Sequence, residues 1–136
     1  MTSTIMLVED DLDISNIIKM VLTISGFKVI VAANGAEGLD LASKHHIDIV
    51  ITDLMMPVMD GNQFIKELSK TSKPPPVIVY TAVEKDVEPN PLIKVICSKP
   101  LSPKLLVEAV KILADQRGCQ RVYEQMRHVA EQDILQ

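Results

Sequence analysis

Five short apolar runs alternating with helical patterns constrain this chain more than any other feature. The runs are Ile5 to Val8, Val29 to Ala33, Ile47 to Ile51, Val77 to Tyr80 and Val95 to Cys97. Each is rich in Val and Ile and bounded by polar or turn residues. Three lack polar alternation, the pattern of strands buried on both faces. Such strands belong to parallel sheets covered by helices on each side.

Helical segments fill the intervals. Asp13 to Ser25 puts Ile14, Ile17, Ile18, Val21 and Leu22 on one face, with Gly26 as the stop. Asn34-Gly35 opens a second helix to about Lys44, with Leu39 and Ala42 inward. Asp60-Gly61 turns into a third, Asn62 to Lys70, with Phe64, Ile65 and Leu68 apolar. Ser102-Pro103 starts the last, whose expected buried face is Leu105, Leu106, Val110 and Leu113. The order β-α-β-α-β-α-β-(weak)-β-α predicts an open α/β sheet with right-handed crossovers. The weak element is 82–94. Pro89 and Pro91 forbid a long helix there, so a short helix near Val83 to Val87, or a loop, is expected. Pro74-Pro75-Pro76 reads as a stiff lead-in to the fourth strand.

The chain has 136 residues and is 47% hydrophobic, enough for one core without staples. Its net charge of −4 argues against direct nucleic-acid binding, which uses a basic stripe. Cys97 and Cys119 form no metal-ligand spacing with the histidines and fit a reduced thiol setting. The N-terminus lacks the basic start and apolar length of a signal peptide, and no apolar run spans a bilayer. A soluble cytoplasmic protein is expected. From Gln116 onward the chain exceeds the five-strand unit. Val122, Met126, Val129 and Ile134 recur at roughly helical spacing, so 118–136 is expected to be a helical extension of the domain at 1–117.

Ligands of open α/β sheets bind at the carboxyl ends of the strands. Glu9, Asp10 and Asp11 follow the first run, Asp53 the third, Thr81 the fourth and Lys99 the fifth. Singly, each has a bland use: a cap, a β-former, a surface lysine. Jointly they make one site. Clustered carboxylates call for a hard divalent cation, and an all-oxygen set favours Mg²⁺. Asp10 and Asp53 are the expected direct ligands and Glu9 an orienting group. Thr81 and Lys99 can hold phosphoryl oxygens, and a carboxylate can be the nucleophile.

The motifs Leu7-Val8-Glu9-Asp10-Asp11, Asp53-Leu54-Met55-Met56-Pro57-Val58-Met59-Asp60-Gly61, Tyr80-Thr81-Ala82 and Lys99-Pro100 resemble the receiver domains of two-component response regulators. The likeness runs from about residue 4 to 115. It implies a flavodoxin-like strand order 2-1-3-4-5, helices on both faces, and a short or broken fourth helix here. It implies that Asp53 accepts a phosphoryl group from a histidine kinase or phosphotransfer protein. It adds the backbone carbonyl of Met55 as a Mg²⁺ ligand and gives Thr81 and Lys99 contacts to the phosphoryl group. The Lys99-Pro100 bond is often cis in such domains. The chain is then a switch and not a turnover enzyme, with an unnamed downstream protein target. A homodimer would use the fourth-helix face or the C-terminal helix.

Three departures shape the reading. The position three before Lys99, commonly aromatic in receivers, is Ile96. Met55 and Val83, two residues past Asp53 and Thr81, offer no hydrogen bond to orient a hydrolytic water, so self-dephosphorylation is expected to be slow. Met55 also stands where aspartyl phosphatases carry a second Asp, which disfavours a phosphohydrolase. The remaining alternative is a receiver-like module that binds partners without phosphorylation.

Overall fold

The computed structural model describes residues 2–100 and 102–116. The expected extension at 118–136 lies outside them. Strands β1 (Thr4–Val8), β2 (Lys28–Ala32), β3 (Ile49–Thr52), β4 (Val77–Thr81) and β5 (Ile93–Ser98) form one parallel sheet in the order β2-β1-β3-β4-β5. Helices α1 (Leu12–Ile24), α2 (Gly35–Lys44) and α3 (Gly61–Leu68) connect them, and α4 covers residues 103–116.

Local chemistry sets the helix starts. Asp11 caps α1 by accepting from the N–H groups of Asp13 at 3.0 Å and Ile14 at 3.2 Å. Asn34 caps α2 through Glu37 N, and Asp60 caps α3 through Gln63 N, each at 2.9 Å. Ser102 Oγ accepts from Leu105 N at 3.2 Å, so Pro103 sits where no helical N–H is needed. Gly26, at φ 96°, ends α1 in a left-handed conformation.

The sheet separates two apolar layers. Ile18 and Leu22 of α1 pack with Leu106, Val107, Val110 and Leu113 of α4 against Ile5, Leu7, Ile51 and Ile78. Phe64, Ile65 and Leu68 of α3 pack on the other face against Met6, Val8, Val50 and Val79. Strands β1, β3 and β4 are buried on both faces, whereas β2, whose run Val29 to Ala33 is just as unbroken, lies at a sheet edge and is only half-buried. β5 alternates between half-buried and exposed because it is an edge with one neighbour.

Several boundaries and faces differ from expectation. Ile17 is 48% exposed and Leu105 55% exposed. Consecutive helical residues point about 100° apart, so Ile18 and Leu106 take the sheet-facing positions and their predecessors turn out. β5 begins at Ile93 and β3 only at Ile49. Between β4 and β5 the expected short element is present as a single 3₁₀ turn at Glu84–Asp86 with no buried residue. The prolines that follow explain its shortness.

Candidate functional site

Register brings the chemistry to one edge. Val8 pairs with Thr52 and Thr81 with Ser98, so Glu9, Asp53, Thr81 and Lys99 emerge at the same end of the sheet. Asp53 is fixed from its backbone outward. Its N–H donates to Val8 O at 3.1 Å, and its carbonyl accepts from Thr52 Oγ1 at 2.8 Å. Asp53 Oδ1 accepts from Leu54 N at 2.7 Å. The turn after it closes through Gly61 N to Leu54 O at 2.8 Å. A Cβ on Gly61 would collide with the Asp53 carbonyl and lie 2.7 Å from Leu54 Cα, so only glycine fits.

Lys99 joins the two carboxylate strands. Its ammonium donates to Asp53 Oδ2 at 2.9 Å and to Glu9 Oε2 at 3.1 Å. It also lies 5.3 Å from the centroid of the Tyr80 ring, within cation–π range. Glu9 and Asp53 are buried and Asp10 is exposed. Burial raises the Glu9 carboxyl above 4.5, against the lowering pull of Lys99. Burial acts to lower the Lys99 ammonium, but the hydrogen bond to Asp53 and the charges of Glu9 and Asp53 outweigh it and leave the group raised above 10.5. Thr81 is fully buried, and its hydroxyl accepts from Val83 N at 3.2 Å.

Carboxylate oxygens of Glu9, Asp10 and Asp53 all come within 4.8 Å of one another. Three carboxylates face one ammonium, an excess of negative charge that a bound cation would offset. Oxygen donors at this spacing suit a hard divalent ion. The cluster could therefore bind a metal. Of the residues singled out from sequence, Glu9, Asp10, Asp53 and Lys99 converge directly. Thr81 stands at the end of β4, the strand next to β3. Met55 follows in the turn with its side chain 65% exposed. The Lys99-Pro100 bond is cis.

This constellation matches a known sequence profile, that of the response regulator receiver domain, over residues 5–111. The chain belongs to that family. Among curated proteins it is 36% identical over 119 residues to the probable transcriptional regulator ycf29 of Porphyra purpurea, covering 83% of this chain and 57% of that protein. It is 40% identical over 78 residues to the transcriptional regulatory protein GlrR of Escherichia coli, covering 57% of this chain and 18% of that protein. The receiver thus spans only part of the length of these relatives. Among solved structures, the chemotaxis response regulator CheY4 of Vibrio cholerae aligns at TM-score 0.77 and 28% identity, over 83% of this chain and 99% of that one. TrrA of Thermotoga maritima, solved in complex with Mg²⁺ and BeF, aligns at TM-score 0.74 and 28% identity, over 82% and 99%.

The receiver fold explains two features that the sequence reading missed. In the sequence Tyr80 is only part of a motif, yet its ring lies 5.3 Å from the Lys99 ammonium. Gly61 has the look of a turn former, yet it is required by contact with the backbone of Asp53 and Leu54. Neither contact has a local signature, since both depend on chain segments that meet only in the fold. Among the described residues, no helix is long and apolar enough to cross a membrane.

Proposed function

We propose that this receiver is a phosphorylation switch in a two-component relay, with Asp53 as the acceptor. The observation that carries this reading is the Lys99 ammonium bridging Asp53 and Glu9 at the carboxyl edge. A lysine so held can stay with the acceptor while phosphoryl charge arrives, and it needs no large rearrangement to do so.

Asp10, Asp53 and the backbone carbonyl of Met55 would hold Mg²⁺, with Glu9 as an outer or water-linked partner. When bound, such an ion would supply positive charge to the phosphoryl oxygens. A carboxylate oxygen of Asp53 attacks the phosphorus of a phosphohistidine on a histidine kinase or phosphotransfer protein. The P–N bond breaks, its electron pair goes to the imidazole, and the imidazole takes up a proton. The product is an acyl phosphate on Asp53. Lys99 donates to a phosphoryl oxygen, and the Thr81 hydroxyl donates to another. The modified site then shifts the balance between two conformations that bind partners differently. Resemblance to ycf29 and GlrR points to a transcriptional output in a longer protein or a separate partner.

Incubation with Mg²⁺ and acetyl phosphate, followed by intact mass measurement, tests this. One phosphoryl group is expected in the wild type, none in Asp53→Asn, and none after chelation. Absence of the gain in the wild type, or its persistence in Asp53→Asn, sinks the reading. The competing reading, a module that binds partners constitutively, draws on the exposed Ile96 and the single 3₁₀ turn between β4 and β5. It expects the same partner affinity in wild type and Asp53→Asn.

A further inference from the structure

Within itself the connection between β4 and β5 makes only short-range turn bonds, such as Asp86 N to Val83 O at 2.9 Å and Leu92 N to Asn90 Oδ1 at 2.9 Å. Its 3₁₀ turn buries no residue, and only Val83, Val87 and Leu92 lean on the adjoining apolar layer. Segments with so few buried contacts open easily unless polar ties hold them. Here the ties are few and specific. Asn62 Nδ2 donates to the carbonyl of Asp86 at 2.9 Å, and Asn62 Oδ1 accepts from Glu88 N at 3.0 Å. One amide therefore satisfies a carbonyl and an N–H two residues apart on the connection. Ser98 Oγ bonds Glu84 Oε2, and Val83 N donates to Thr81 Oγ1.

Asn62 is also close to the acceptor along the chain. It is the second residue of α3 and follows Gly61, whose N–H donates to Leu54 O at 2.8 Å. Leu54 N in turn donates to Asp53 Oδ1 at 2.7 Å. A continuous run of bonds thus leads from the Asp53 carboxylate through the turn to Asn62 and on to residues 86 and 88. Ile96, on the neighbouring edge strand, is 41% exposed and carries no ring that could swing inward.

We propose that Asn62 couples the acceptor site to the β4–β5 connection, making residues 84–88 follow the start of α3 when Asp53 changes state. This rests on the phosphoacceptor reading above. Asn62 touches neither the donor nor the reacting atoms, so it is a positioning residue. Its two bonds give the connection two arrangements, docked on α3 or released. Coupling between sites requires such a two-state element. Phosphorylation biases it through the Leu54–Gly61 turn, whose bond to the Asp53 carboxylate changes when that carboxylate carries a phosphoryl group. The output surface is then the connection itself, read without an aromatic side chain at position 96.

Methyl NMR of the full chain with beryllofluoride, with and without Mg²⁺, tests this. Leu54 reports the acceptor, and Val87 and Leu92 report the connection. In the wild type all three are expected to shift when the phosphoryl mimic and Mg²⁺ are both present. In Asn62→Ala the Leu54 shift and the mass gain from acetyl phosphate are expected to persist, while most of the response at Val87 and Leu92 is lost. Asn62→Asp keeps the acceptor for Glu88 N but not the donor to Asp86, and an intermediate response is expected. Gln63→Ala, which removes only an exposed bond to Glu67 on the same helix, is expected to behave as wild type. Equal shifts of Val87 and Leu92 in wild type and Asn62→Ala overturn the coupling role. So does a wild-type response confined to Leu54. A wild type in which Leu54 does not respond overturns the phosphoacceptor reading and this one with it.

Discussion

The two halves of the carboxyl edge are held by different means. On the β1–β3 half, Asp53 is tied by its own N–H, its carbonyl and both carboxylate oxygens, to backbone groups, the buried Thr52 hydroxyl and the half-buried Lys99 ammonium. On the β4–β5 half, the chain leaves Thr81 into a turn held mainly by the side chains of Asn62 and Glu84. The acceptor is over-determined and the connection is not. That difference suits a switch: chemistry requires a fixed nucleophile, while a readout requires a segment that can move.

The comparison breaks most visibly at Gly61. Gly61→Ala forces the turn away from Asp53, and unfolding in urea is expected to show a loss of about 3 kcal/mol, as overpacking against backbone does. A variant as stable as wild type would mean that the turn is looser than its contacts indicate. Lys99→Ala comes next. It leaves Glu9 and Asp53 facing each other without their ammonium, and a loss of about 2 kcal/mol is expected, below that of a fully buried broken pair because the site opens to solvent at Asp10. Added Mg²⁺ should restore part of that stability, since an ion binding only the folded state raises it by mass action. A melting temperature indifferent to Mg²⁺ would count against the metal site.

A smaller effect probes where the halves meet. Met55→Asn and Val83→Asn each place a hydrogen-bonding group where a water could attack the acyl phosphate. Each is expected to shorten the phosphoryl half-life roughly tenfold, a change of about 1.4 kcal/mol in barrier. Unchanged half-lives would remove the reason to expect slow dephosphorylation. The smallest effect is in pH. Glu9 is raised in the fold, so its contribution is complete below its unfolded value and is lost as pH rises through the folded one. Ionising Glu9 therefore weighs against the fold. The stability of wild type relative to Glu9→Gln is expected to decline as pH rises through the window above 4.5. Lys99 has the same sign, but its contribution is lost only above 10.5. A flat difference between the two proteins across the acid window would show that Glu9 is not burdened by its burial.

Much of this was legible before any coordinates. Short apolar runs marked the five strands, and Asn34-Gly35, Asp60-Gly61 and Ser102-Pro103 marked the entries to α2, α3 and α4. The convergence of Glu9, Asp53 and Lys99 followed from the rule that ligands gather at the carboxyl edge. Exposure was less legible. Ile17 and Leu105 are as apolar as their neighbours, and only packing decides which of two adjacent side chains meets the sheet. Asn62 gave no signal, because its partners lie 24 and 26 residues away in a stretch without regular structure.

By itself, then, the sequence determined the alternation of elements, their caps and the identity of the groups at each strand end, because these depend on neighbours within a turn or two of chain. Tertiary structure alone decided that Lys99 would bridge two carboxylates 46 and 90 residues away, that Gly61 would have no room for a side chain, and that Asn62 would hold the β4–β5 connection. Those contacts arise where distant segments are brought level by strand register and crossover, and nothing in the local pattern of residues encodes that distance.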